Sequence, residues 1–162
     1  MAGLVLTDAS PLIGLARVNG LQWLQQLFGQ VWMPTEVRRE VLSGNGSPDE
    51  RAIVAAEESG WISVRSPTPE TPELPELDEG ESACIRIALG NVAPSLLLID
   101  ERAGRAIAIE HGLQVAGTAA VIGMARSRNL ITSAREVFSR LHESDFRISA
   151  QVIETVLRRV GE

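Results

Sequence analysis

Short unbroken apolar runs alternate along this chain with longer stretches in which apolar residues recur every three or four positions. The runs are Leu4-Val5-Leu6, Val31-Trp32-Met33, Trp61-Ile62-Ser63-Val64, Leu96-Leu97-Leu98-Ile99 and Leu113-Gln114-Val115-Ala116. They predict five strands, and those without alternation suit strands buried on both faces. Between them lie helical patterns. A short helix over about 12–16 is opened by Ser10 as N-cap with Pro11 at the first helical position, and a second covers Leu21 to Phe28 and stops at Gly29. Others start at Pro34-Thr35 and run over 48–59, 78–89, 102–110, 118–127, 133–142 and 149–159. Residues 43–48 hold too many turn formers to be anything but a loop. Pro67, Pro69, Pro72 and Pro75 forbid helix or central strand over 66–77, which reads as an exposed, extended, acidic connector.

That order of elements predicts an α/β fold, a three-layer α/β/α sandwich whose five-stranded sheet is mainly parallel. The length of 162 residues fits one domain spanning 1–162, with the C-terminal helices of 133–159 packing on or extending the core. No apolar run approaches the ~20 residues of a membrane span. The first residues carry no basic stretch followed by an apolar one, so the expected location is the cytoplasm.

Composition narrows the chemistry. A formal net charge of -6 argues against binding nucleic acid through a generally basic surface. It leaves room for an acidic, metal-loaded pocket served by a few local arginines. All 15 basic residues are arginine, which excludes Schiff-base chemistry and a P-loop lysine. Cys84 is the only cysteine and sits in an apolar helical pattern, as a small core residue would. His111 and His142 are not at zinc spacing.

The candidate chemistry lies in the acids. Asp8 and Asp100 each follow an aliphatic run and precede a helical pattern, so parallel neighbouring strands would bring both to one sheet edge. Glu81 falls in the first turn of the helix before the strand that leads to Asp100. Glu36 and Glu40 are one helical turn apart and are alternatives with overlapping reach. Glu40, between Val37 and Val41, is the preferred one. Taken singly, each acid has a plain alternative: a helix cap for Asp8 or Asp100, a dipole-compensating or solvated acid for Glu81 or Glu40. Asp78, Glu79 and Glu101 flank the set and read as surface or supporting positions. Oxygen-only ligands suit Mg²⁺ or Mn²⁺. An acid cluster around such an ion is best matched to metal-assisted phosphodiester hydrolysis.

The segments Leu4-Val5-Leu6-Thr7-Asp8-Ala9-Ser10-Pro11-Leu12-Ile13, Met33 to Val41, Leu77 to Ile85 and Leu98-Ile99-Asp100-Glu101 resemble the PIN-domain nucleases. The likeness is to the prokaryotic branch with a D-A-S-P-L-I opening and an L-D-x-G-E helix start. Gly117-Thr118 and Phe146 to Ser149 also fit that branch, so the resemblance spans nearly the whole chain. It implies an α/β/α sandwich and an acidic cluster of Asp8, Glu40, Glu81 and Asp100 that binds Mg²⁺ or Mn²⁺ as cofactor. It also implies endoribonuclease activity on RNA, often as the toxin paired with an antitoxin protein. Glu81 stands where the family commonly has Asp. Ser10 and Thr118 match positions where a hydroxyl lies near the cluster.

A homodimer is implied too, with the aliphatic stripe of Leu12 to Phe28 as a candidate interface, although the same stripe reads equally as core. Arg38, Arg39, Arg102 and Arg105 lie near the acids in sequence as possible phosphate contacts. The competing function is a catalytically silent PIN-like module that binds protein or RNA. A receiver or phosphatase built on strand-end aspartates is disfavoured by the absence of lysine.

Overall fold

The computed structural model describes residues 3–162. Its five strands are β1 (Leu4–Thr7), β2 (Val31–Pro34), β3 (Ile62–Arg65), β4 (Ser95–Leu98) and β5 (Gln114–Ala116). They form one sheet in the order β3-β2-β1-β4-β5, and every neighbouring pair is parallel. All five apolar runs therefore become strands, and the α/β sandwich read from the pattern is the observed architecture. The central strand β1 is buried along its whole length, as a strand covered on both faces must be.

The helices are α1 (Ala9–Arg17), α2 (Gln22–Phe28), α3 (Thr35–Val41), α4 (Pro48–Glu58), α5 (Glu79–Leu89), α6 (Arg102–Glu110), α7 (Thr118–Ser127), α8 (Ala134–Glu143) and α9 (Ala150–Arg159). The chain runs outward from β1 through β2 to β3, then returns through α5 to β4 on the other side of β1. Right-handed crossovers in these two directions put their helices on opposite faces of the sheet. Accordingly α5 packs on β1, β2 and β4 with α6 beside it, whereas α7 contacts both α1 and α2. The C-terminal helices α8 and α9 pack on α7, and Val137, Phe138, Leu141 and Leu157 join the core. Among the described residues no helix is long and apolar enough to cross a membrane.

Three local features sharpen the reading. Helix α1 starts at Ala9, so Asp8 rather than Ser10 is the N-cap residue, and the Asp8 side chain makes no capping hydrogen bond. The chain turns directly from strand to helix there. Pro11 still falls in the first turn, where a missing N–H is tolerated. Most of the Leu12–Phe28 stripe is core: Leu12, Leu15 and Leu24 are fully buried and Leu21 and Trp23 nearly so, while Ile13, Leu27 and Phe28 stay partly exposed. The connector over 66–77 is acidic and mostly exposed, yet it is fastened down. Leu74 is buried, and Arg86 Nε donates to the Pro72 carbonyl at 2.7 Å.

Candidate metal centre

The strand order reverses between β1 and β4, and it is beyond the carboxyl ends of strands at such a switch point that open α/β sheets bind ligands. Asp8 is the first residue past β1, and its N–H donates to the Leu98 carbonyl at 2.9 Å. Asp100 lies two residues past β4. Helix α5 delivers the next acids. Its N-terminus is a capping box: Asp78 Oδ1 accepts from the Glu81 N–H at 2.9 Å, and Glu81 Oε1 accepts from the Asp78 N–H at 3.3 Å. The reciprocal pair fixes both side chains and uses one oxygen of each.

Asp8, Asp78 and Glu81 converge, each offering a carboxylate oxygen that lies within 4.8 Å of the other two. Asp8 is 5% exposed and Glu81 4%. Asp8 Oδ1 and Glu81 Oε2 are buried with no hydrogen-bond partner. Buried anionic oxygens without a donor or cation are strongly unfavourable. Burial pushes the Asp8 carboxyl up to about 7 against the Ala9 N–H, and the charges of Asp78, Glu81 and Glu40 add to the rise. Glu81 is raised by burial and then by the charge of Asp78. Either protons or a cation must relieve this cluster. Oxygen-only donors of carboxylate type fit a hard divalent ion.

Missing Cβ atoms shape the pocket. A Cβ on Gly80 would sit 2.5 Å from Asp8 Oδ1, and one on Gly104 would sit 2.7 Å from Glu81 Oε2. The two unpartnered oxygens thus each press against a glycine. Gly104→Ala should move Glu81 and weaken divalent-ion binding about tenfold, in the range seen when a ligand's supporting shell is disturbed. Calorimetric titration with Mn²⁺ checks this.

Of the four acids expected from the sequence, Asp8 and Glu81 meet in this cluster. Glu40 is exposed at its rim, where partial desolvation and then the charge of Asp78 raise its carboxyl. Glu36, its alternative, is occupied elsewhere and accepts from Thr68 Oγ1 at 2.8 Å. Asp100 lies outside the converging trio and is well satisfied. Its Oδ1 accepts from the Thr118 N–H at 2.6 Å, and its Oδ2 accepts from Ser10 Oγ at 2.8 Å and Thr118 Oγ1 at 2.7 Å. The two hydroxyls implied by the resemblance are therefore in contact with an acid of the set. Asp78, which the sequence reading places among the flanking acids, is a full member of the cluster. The signal for it is the Asp78-x-x-Glu81 spacing, which ties its carboxylate to that of Glu81.

The nitrogen and sulfur side chains stand apart from this chemistry. Cys84 is fully buried, and burial pushes its thiol up, as do nearby carboxylates led by Asp8. It is held as a thiol and packs as a small apolar residue. The His111 ring faces the Ile107 carbonyl and the His142 ring faces that of Ile148, each on its own local backbone.

Fold and site together define an α/β protein with a carboxylate pocket at the switch point of a parallel sheet. A family model described as a PIN domain matches residues 4–162, and the chain belongs to the PIN-domain family. Comparison with curated proteins returns no match, and comparison with solved structures returns none. PIN domains are in general metal-dependent nucleases, and this chain has an acidic cluster able to hold a metal ion.

Proposed function

We propose that this protein is an Mg²⁺- or Mn²⁺-dependent endoribonuclease that hydrolyses RNA phosphodiesters. The observation that carries the reading is the pair of buried, unpartnered oxygens, Asp8 Oδ1 and Glu81 Oε2, beside Asp78. A divalent ion bound there would supply hydroxide at neutral pH and neutralise charge developing on the phosphate. Asp8, Asp78 and Glu81 hold the ion, and Glu40 adds negative charge at the rim. Asp100 works differently in this reading. A carboxylate has about four acceptor positions, and three are taken, so Asp100 chiefly locks the starts of α1 and α7 to the end of β4 and keeps one position on Oδ1. The acids of the proposed site are then Asp8, Glu40, Glu81 and Asp100, joined by Asp78.

Cleavage of single-stranded RNA should require Mg²⁺ or Mn²⁺, stop with EDTA, and fall at least about a hundredfold in Asp8→Asn, beyond the loss typical of an outer-shell change. Cleavage that persists in EDTA or in Asp8→Asn would sink the reading. Absence of Mn²⁺ binding near millimolar concentration would instead favour a silent binding module. We further propose a toxin role opposed by an antitoxin protein, in the cytoplasm and as a homodimer, on the family resemblance alone. Growth arrest on expression, relieved by Asp8→Asn, tests the toxin role. Sedimentation tests the dimer.

A further inference from the structure

We infer that Arg105 is an RNA-backbone ligand of this site, the guanidinium that receives a phosphate beside the acidic pocket; this rests on the ribonuclease reading above. The structure sorts the four arginines near the acids. Arg38 is bound twice to Glu57, at 2.7 and 2.9 Å. Arg39 and Arg102 are exposed. Arg105 is half-buried and forms no ion pair, side-chain hydrogen bond or ring contact among the described residues. Among the described residues, the other arginines without such a partner are Arg39, Arg102, Arg128 and Arg159, and all four are exposed. A solvated arginine needs no partner. A guanidinium withdrawn from water is left short of an anion.

Its position says which anion. Arg105 follows Gly104, whose missing Cβ makes room for Glu81 Oε2. Arg105 Nη1 and Asp100 Oδ1 each lie 2.8 Å from the point where a Cβ on Gly117 would stand. The guanidinium thus lies beside Asp100 at the same sheet edge, against a glycine that leaves it room. Asp100 stands nearby but makes no ion pair or hydrogen bond with it, and three of that carboxylate's acceptor positions are taken by Ser10 and Thr118. A chain of net charge -6 must offset repulsion of a polyanion locally. A forked guanidinium matches phosphate oxygens two at a time.

The test measures binding of a fluorescein-labelled single-stranded RNA of randomised sequence to the Asp8→Asn chain, which does not cleave it, over a range of salt concentrations. Adding Arg105→Gln should weaken binding about three- to tenfold at low salt. It should also reduce the slope of log affinity against log salt by about 0.7, the value of one phosphate contact on a single strand. Arg105→Lys should keep the slope. In the chain with Asp8 intact, Arg105→Gln should leave Mn²⁺ affinity within twofold of the parent. An unchanged slope overturns the inference and leaves the nuclease reading standing; the guanidinium would then serve an acidic protein partner. A loss of Mn²⁺ affinity as large as the loss of RNA affinity also overturns it. Absence of RNA binding by the parent overturns both.

Discussion

Asp8→Asn should raise the melting temperature of the metal-free protein at pH 7–8 while ending metal-dependent cleavage. The Asp8 carboxyl is buried, one oxygen has no partner, and its pKa is raised from 3.8 to about 7. A carboxyl that ionises at a higher pH when folded contributes stability below the unfolded value and loses it as pH rises through the folded one. The window is therefore pH 4 to 7. Across it the metal-free chain loses stability, with a ceiling of about 4 kcal/mol for a shift of this size. Asparagine keeps the shape and removes the charge, although its amide still lacks a partner. A net gain of about 2 kcal/mol follows, several degrees in a domain of this size. The wild type should recover the same range when a divalent ion is added, because an ion that binds only the folded chain stabilises it. Thermal melts at pH 4, 5.5 and 7.5, with EDTA and with Mn²⁺, check the sign in both proteins. Equal melting temperatures of wild type and variant at pH 7.5 in EDTA would contradict it.

Asp100→Ala should behave in the opposite way and destabilise the protein whether metal is present or not. Three donors point at this carboxylate: the Thr118 N–H and the hydroxyls of Ser10 and Thr118. Thr118 is itself fully buried, so its N–H cannot turn to water. Hydrogen bonds to a charged acceptor are worth about 1.5–3 kcal/mol, and an orphaned buried donor costs about 1–3 kcal/mol. We expect a loss of about 2–4 kcal/mol, with Asp100→Asn losing less because its oxygen still serves the Thr118 N–H. Urea unfolding of the two variants measures this. The contrast matters because both aspartates look alike in sequence. One is held in tension by like charges and burial, and the other is fastened by donors.

That contrast also marks what the sequence carried and what it did not. The aliphatic runs at Leu4–Leu6 and Leu96–Ile99 were legible because a strand buried on both faces leaves no alternation. Their ends told where the switch point lies, hence the importance of Asp8 and Asp100. The nature of each end was not legible. Whether Ser10 caps its helix or reaches Asp100 depends on the pairing of β1 with β4 and on where α7 begins, which is non-local. Periodicity places Glu40 inward between Val37 and Val41, but those two valines are buried while Glu40 itself is exposed. Asp78 was discounted as a flanking acid, although its three-residue spacing from Glu81 made it the other half of a capping box. Arg105 was one arginine in four until burial separated it from Arg39 and Arg102. The apolar stripe of Leu12 to Phe28 had two readings, and only the packing of α1 and α2 assigns most of it to the core.

The proposed nuclease stands or falls on the buried oxygens of Asp8 and Glu81, with Asp78, as cation ligands. Crystals grown with Mn²⁺ and measured at a wavelength where manganese scatters anomalously test it most directly. An anomalous peak is expected beyond the ends of β1 and β4, bonded to carboxylates of Asp8, Asp78 and Glu81, and it should disappear in Asp8→Asn. No peak there at millimolar Mn²⁺, or a peak that survives in Asp8→Asn, would contradict the proposal.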